Sequence, residues 1–467
     1  MNPNTLLAFQ SSIQDVSVDW PTWRELFETL TFRAGHNTAV VMMGTAMLGA
    51  AGGVVGTFAL LRQRAMMGDA LSHATLPGIV IAFLVATALG LDGKSVPLLL
   101  AGAATTGVLG VLTVHAILRF SRLTEDAAIG VVLACFFGAG VVLLTYAQNL
   151  PSAGQGGLDR FILGQTAAIR TNDAVLVASV AGVSAIVALL MFKEFRAVCF
   201  DDRFAAATGM PVVAIDMVMM ALVVAVLVSG LQAVGLVLVV ALLIIPPAAA
   251  RFWTERLGVM TLLAAFLGAL SGYLGSAASA LLPRLPAGAV IVLTAGVIFS
   301  IGLIAAPKRG IVAAVVQRIG LRLKMARDHM LRLCFEQLEA ENTPVTAGAL
   351  VSSSALHAAR AWSSTDFAMA KMNLRIAGMM EKNGGDVRLT ERGAYAATRI
   401  TRSHRLLEEY LVTHADIAAS HVHTIADLAE HSLSPTLVAE LEESLRAKGI
   451  AIDSPPSVHD LRGGASP

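Results

Sequence analysis

From Val40 to Ala306 the chain is written almost entirely in apolar residues, broken at short intervals by small polar clusters. Nine apolar stretches can be drawn, at approximately 39–61, 65–90, 97–118, 125–147, 172–192, 211–231, 233–253, 257–282 and 287–306. Each is close to the roughly 20 residues needed to cross a bilayer as a helix. The breaks near residues 63 and 232 are the shortest. Upstream, residues 1–36 are polar and then amphipathic, with Trp20, Trp23, Leu26, Phe27 and Leu30 at helical spacing, a pattern suited to a helix lying at the membrane interface. Beyond Lys308 charges become frequent, as in a soluble domain. The pattern therefore predicts an all-α polytopic membrane bundle of about nine spans followed by a mostly α-helical soluble domain.

Composition agrees with this division. Over 467 residues 55% are hydrophobic and 14% charged, where a soluble chain carries about a quarter charged. The net charge of +1 carries no information about partners, because the two halves differ in kind. The distribution of basic residues does carry some. One set of breaks holds Arg62, Arg64, Arg119, Arg122, Lys193, Arg196, Arg203, Arg251, Arg256, Lys308 and Arg309; the other holds Lys94, Arg160, Arg170 and Arg284. The richer set is expected in the cytoplasm, which puts the N-terminus outside and everything after Lys308 inside. Cys135, Cys199 and Cys334 form no C-x-x-C pair, so neither a disulfide framework nor a zinc ribbon is expected. The N-terminus lacks the pattern of a cleaved signal peptide. Gly93-Lys94-Ser95 looks like the tail of a phosphate-binding loop, but Ala88 stands where that loop needs glycine. There is no H-E-x-x-H either. Energy for moving a substrate must therefore come from a partner or an ion gradient.

One stretch carries candidate chemistry inside the apolar region: Gly68-Asp69-Ala70-Leu71-Ser72-His73-Ala74-Thr75-Leu76-Pro77-Gly78. At about 3.6 residues per turn, Asp69 and His73 lie on one helix face. An ionisable pair inside a membrane segment marks a functional site by default, and a carboxylate with an imidazole is half of a transition-metal site. A polar patch joining neighbouring helices is the alternative. Three breaks add to the picture. Residues 148–171 form a Gly-rich outer loop with a short amphipathic piece around 161–164. Residues 193–211 predict a short cytoplasmic helix closed by Gly209 and stopped by Pro211. Pro246-Pro247 interrupts an apolar helix, and the backbone groups it frees need burial in protein or a water-filled cavity.

With Met67 added, the Gly68–Gly78 motif, supported by Val239–Pro246 and the 193–211 segment, makes residues 40–306 resemble the permease subunits of bacterial manganese/zinc/iron ABC importers, the ABC-3 family. That resemblance implies a pathway for Mn²⁺, Zn²⁺ or Fe²⁺ in the bacterial inner membrane. It implies a periplasmic metal-binding protein, a separate cytoplasmic ABC ATPase that hydrolyses the ATP, and a second permease copy or a related permease. Asp69 and His73 would then be transient metal ligands. The 193–211 segment would be the coupling helix, with Phe200, Asp201, Phe204, Ala205 and Gly209 at the ATPase contact.

After a basic helix at 311–340, a helical stretch at 346–361, an N-cap cluster at 363–366 opening a helix through Lys382, a turn at 383–386 and a short strand at 387–389 give the layout of a winged helix-turn-helix. Lys371, Arg375, Lys382 and Arg388 are its candidate phosphate contacts. Five of 11 histidines fall between 404 and 431. His404 and Glu408 are i,i+4; His423, Asp427, Glu430 and His431 share one side of a further predicted helix. Facing helices with such groups form a candidate first-row metal site, and a solvated polar face is the alternative. Leu389–Gly393, Arg402–Glu408 and His423–His431 make residues 325–447 resemble the iron- and manganese-dependent repressors of the DtxR/MntR type. The resemblance implies one metal site with His404, Glu408 and His423 and another with Glu430 and His431. Asp427 stands where iron-type members carry cysteine, which favours a harder ion such as Mn²⁺. The expected organisation is an interfacial segment 1–36, a permease domain 37–308, a linker helix 309–325, a DtxR/MntR-like metal-sensing domain 326–450 and a disordered tail 451–467. A membrane-tethered or released metal-dependent DNA-binding regulator is the second reading. An intramembrane enzyme using Asp69 and His73 is a third, without a nucleophile motif or a complete metal triad to support it.

Overall fold

The computed structural model describes residues 21–62, 64–91, 95–149, 170–282, 285–359, 362–415, 426 and 435–447. It divides into two compact units, Met1–Ala313 and Ala314–Pro467. The expectations for Trp20, the 161–164 piece and the 451–467 tail lie outside the described residues.

The first unit opens with α1, Trp23–Leu30, held at its start by a capping box between Thr22 and Glu25. Trp23 and Phe27 stay exposed, while the Tyr273 hydroxyl donates to the Leu30 carbonyl and packs edge-on to Phe32. Among the described residues nine apolar helices follow. They are α2 His36–Leu61, α3 Ala65–Ala88, α4 Val96–Phe120, α5 Glu125–Gln148, α6 Thr171–Leu190, α9 Val212–Val234, α10 Leu236–Trp253, α11 Leu257–Leu281 and α12 Ala287–Ala305. Eight are long and apolar enough to cross a membrane; α10 is shorter.

The bundle is organised on α2, and glycine spacing explains why. Gly49 and Gly53, one turn apart, meet α11: a Cβ on Gly49 would lie 2.1 Å from the Gly268 carbonyl oxygen, and one on Gly53 2.2 Å from that of Ala264. Small residues at this spacing let helix backbones touch where lipid supplies no hydrophobic drive. Thr45 completes the seam, bonding to the Gly272 carbonyl at 3.1 Å and to Ser276 Oγ at 2.7 Å. The adjacent stripe, Gly52 and Gly56, receives α10. Pro246 and Pro247 lie inside α10 and do not interrupt it. Proline lacks an N–H, so the carbonyls of Leu242 and Leu243 lose their helical donors. Those two carbonyls press on the bare faces of Gly52 and Gly56, where a Cβ would come within 2.8 and 1.9 Å of them. Burial in protein thus accommodates the freed oxygens. The break expected near 232 falls at Gly235, whose φ of +83° joins α9 to α10.

The 193–211 segment differs from the single helix that its composition suggests. It forms α7, Phe192–Phe200, and α8, Asp202–Ala207. The break is Asp201, extended, whose carboxylate accepts from the Phe204 amide at 2.9 Å and so restarts the chain as an N-cap. Gly209, at φ +85°, closes α8 as predicted.

The second unit contains nearly all of α13, Ile311–Ala340, then β1 Leu350–Val351, α14 Ser353–Ala358, α15 Ser364–Ile376, β2 Met380–Asn383, β3 Asp386–Leu389, α16 Glu391–Ala415 and α17 Pro435–Ala447. The sheet order is β1-β3-β2, antiparallel throughout, with Val351 opposite Val387 and Asn383 opposite Asp386 across a turn at Gly384. Two expectations change. The 346–361 stretch is a two-residue strand and a six-residue helix, because Leu350 and Val351 add to the hairpin edge. The helix expected through Lys382 ends at Ile376, since Gly378 at φ +67° turns the chain; Lys382 is on β2. Met330, Leu331, Cys334 and Leu338 of α13 fill the core beneath this sheet.

Candidate metal pathway and a buried half-site

Asp69 lies on the second turn of α3 and His73 on the third, with His73 Nε2 3.7 Å from Asp69 Oδ1. Their side chains are 48% and 26% exposed, unlike the neighbouring Ala70, Leu71 and Ala74, which are buried. A carboxylate cannot be left against hydrocarbon. The open side of this helix therefore faces a polar passage or another protein surface. Phe137 of α5 sets the imidazole, edge-on at 4.8 Å between ring centroids. Four residues past His73, Pro77 brings no N–H to the His73 carbonyl. Five residues past His73, Gly78 lets α3 touch α4: a Cβ there would sit 2.1 Å from the Gly102 carbonyl oxygen. The motif thus combines two donors with the small residue that fixes the helix carrying them.

The coupling candidates separate by face. Ala205 is buried, Asp201 caps α8, and Phe200 and Phe204 stand in solvent as a pair of exposed aromatics. Behind them runs a set of ion pairs that hydropathy alone did not reveal. Arg62 Nη1 is 3.1 Å from Asp202 Oδ2 and its Nε 3.4 Å from Asp216 Oδ1. Arg64 pairs with the other oxygen of Asp216 and, at 2.6 Å, with Glu125. Asp216 at the start of an apolar run was a visible signal, since such a carboxylate needs a partner. Its partners, about 150 positions away, were not visible.

In the second unit His404 and Glu408 meet on α16, Nε2 to Oε1 at 2.9 Å, both side chains 2% exposed. Arg332 of α13 lies against the ring, Nη1 2.8 Å from Nδ1 and 3.2 Å from Nε2. With the guanidinium donating to Nδ1, Nε2 carries the proton and donates to Glu408. An imidazole and a carboxylate are fitting donors for a first-row metal, and here a protein cation occupies the lone-pair side of the imidazole. Arg332 was missed, because 311–340 reads as a basic connector. The signal was present in Asp328, His329 and Arg332, polar residues set among buried Met330, Leu331 and Cys334. His423, Asp427, Glu430 and His431 lie outside the described residues. Among the described residues no three His, Cys, Asp or Glu side chains gather at metal-binding distance.

The candidate phosphate contacts are unequal. Arg388 is exposed on β3 and Arg375 half-buried on α15. Lys371 donates to Ser353 Oγ at 2.7 Å and lies 5.3 Å over the Phe367 ring. Burial, with Arg375 and Lys382 nearby, pulls its ammonium below the usual lysine range. Two thiols are likewise set by burial, Cys199 raised to about 11 and Cys334 to about 12.

A bundle of apolar helices with a half-open carboxylate–imidazole pair on one of them defines a multi-pass membrane transport protein. The chain belongs to the ABC 3 transport family, whose match spans residues 36–306. Residues 390–447 match the metal binding and dimerisation domain of iron-dependent repressors. The chain is 40% identical over 322 residues to the manganese transport system membrane protein MntC of Bacillus subtilis, covering 69% of this chain and 73% of that protein. It is 42% identical to the zinc transport system membrane protein TroC of Treponema pallidum, over 60% of this chain and 92% of that one. Among solved structures, PsaBC from Streptococcus pneumoniae in complex with Fab aligns with a TM-score of 0.52 at 30% identity, over 62% of this chain and 98% of that chain.

Proposed function

We propose that this chain is the membrane permease of an ABC importer for a divalent transition metal ion, manganese or zinc by its named relatives. Asp69 and His73 take the ion in passing. The observation that carries the reading is their partial exposure on an apolar helix: two donors per chain bind weakly enough to release what they admit. The open side of α3 is covered by a second permease, the same or related. A separate ATPase docks on Phe200 and Phe204 of the α7–α8 segment, and a periplasmic binding protein delivers the ion. The N-terminus is outside and the second unit cytoplasmic, as the basic breaks require. There the repressor-like domain senses metal through His404 and Glu408 together with His423, Asp427, Glu430 and His431, once Arg332 has left the His404 ring. Radiolabelled metal uptake in cells expressing the complete importer tests the core of this reading. Asp69→Ala and His73→Ala should each abolish uptake at normal protein levels; unchanged uptake would demote the pair to structural contacts.

A second reading, DNA binding by the winged domain, draws support from exposed Arg388 on a hairpin beside α15. Metal-dependent retardation of DNA by the full chain in nanodiscs would favour it. No retardation at any salt concentration would end it.

A further inference from the structure

The ion pairs behind the α7–α8 segment form a connected chain, and each link joins two different elements. Asp202 opens α8, the helix carrying exposed Phe204. It pairs with Arg62, which follows α2 directly and also donates to the Val198 carbonyl of α7 at 3.3 Å. Arg62 shares Asp216, in the second turn of α9, with Arg64. Arg64 is the residue before α3 begins, and it also holds Glu125 at the start of α5, the helix whose Phe137 sets His73. From Arg64 to Asp69 is five residues of continuous helix. Asp216, 8% exposed, is the common member of both halves. Apolar contacts can slide past one another, whereas a buried carboxylate bound by two arginines moves with them or strips each of one of its two carboxylate partners.

We propose that Asp216 is the transmission residue of the transporter: it ties the docking segment, through Arg62 and Asp202, to the start of the metal-bearing helix, through Arg64. A displacement of α8 by a docked ATPase then reaches Asp69 and His73 through charge pairs. The inference rests on the reading that the ATPase docks on α7–α8.

The test uses the complete transporter in proteoliposomes, reading metal uptake, ATP hydrolysis and the amount of assembled complex. Asp216→Asn keeps the shape and removes the charge. It should lower ions moved per ATP by about tenfold, within the range of ordinary coupling energies, while hydrolysis per complex persists. Asp216→Glu should restore most of the ratio. Asp202→Asn, which cuts only the half-exposed docking arm, should lower the ratio more modestly, and it keeps the test alive if Asp216→Asn does not assemble. An unchanged ratio in both asparagine variants overturns the proposal. So does a parallel fall of uptake and hydrolysis in proportion to assembled complex. Phe204→Glu separates the two readings. If it leaves the ATPase bound and uptake intact, docking on α8 is wrong and the transmission route goes with it. If it abolishes assembly while the asparagine variants stay coupled, only the route is wrong.

Discussion

Gly78 offers the sharpest test of how α3, the helix of Asp69 and His73, is held. In Gly78→Ala the new Cβ would lie 2.1 Å from the Gly102 carbonyl oxygen and 2.2 Å from Thr106 Oγ1. The threonine can rotate, but the carbonyl is backbone, so α3 and α4 must separate by about 1 Å to restore ordinary contact. A gap of that size forfeits between a quarter and a half of the dispersion energy of each atom pair along the crossing. Overpacking costs about 1–3 kcal/mol where side chains can adjust, and backbone against backbone belongs at the upper end of that range. Against this, alanine is favoured over glycine by about 1 kcal/mol in a helix. The expected net loss is about 2 kcal/mol, with impaired uptake because the helix that moves carries Asp69 and His73. Gly138→Ala on α5 is the internal control: nothing lies within 4 Å of its Cβ, so the same chemical change should be neutral or slightly stabilising. Unfolding of the two purified variants in mixed micelles by a denaturing detergent measures both. Equal stability of Gly78→Ala and the parent would refute the close crossing.

Three further outcomes follow from the same structure. Asp201→Ala removes the α8 N-cap and should cost that helix about 1 kcal/mol, seen as weaker co-purification of the ATPase with unchanged permease stability. Arg332→Gln should sharpen the metal response of the second unit: removing the buried cation lowers apo stability, and added Mn²⁺ should raise the melting temperature of an Asp69→Ala background more than it does with Arg332 present. Cys334, raised from 9.0 to about 12 by burial, stays a thiol when folded and ionises first in the unfolded chain. Its contribution to stability is therefore complete below pH about 9 and is lost as pH rises toward 12. Cys334→Ala should flatten the alkaline fall in melting temperature, and Cys334 itself should resist alkylation until the unit unfolds.

The membrane half was legible because one physical rule governs it: backbone groups in lipid must bond within their own helix, so length and apolarity suffice to draw the spans. Asp69 and His73 stood out for the converse reason, as expensive residues in a cheap background. What sequence could not supply was pairing across distance. Gly49 with Gly268, the Leu242 carbonyl with Gly52, and Asp216 with Arg62 and Arg64 are matches between positions of which each half alone looks ordinary. In the second unit local signals competed. Gly378 ended a helix that apolar spacing would have carried to Lys382, and Leu350 and Val351 became a strand only because β3 was there to receive them. Arg332 was hidden by composition, since a basic helix after a membrane span reads as a connector.

The two carboxylate–imidazole pairs of this chain share one chemistry and differ in setting, and under the proposed function that difference suits them to different roles. Both are i,i+4 on a helix. Asp69 and His73 stand 3.7 Å apart and partly open, so a cation can approach and leave without moving the helix that carries them. His404 and Glu408 stand 2.9 Å apart and almost fully buried, with a guanidinium already against the ring. An ion entering the second pair must displace Arg332, which already pairs with Glu336, the carboxylate 3.4 Å from the Arg332 Nε. Occupancy there would be coupled to a rearrangement between α13 and α16, whereas occupancy of the first pair need not be coupled to anything local. A pathway needs the uncoupled kind, with its gating supplied from outside through elements such as α8. A sensor needs the coupled kind, because a ligand shifts an equilibrium only by binding one arrangement more tightly than the other.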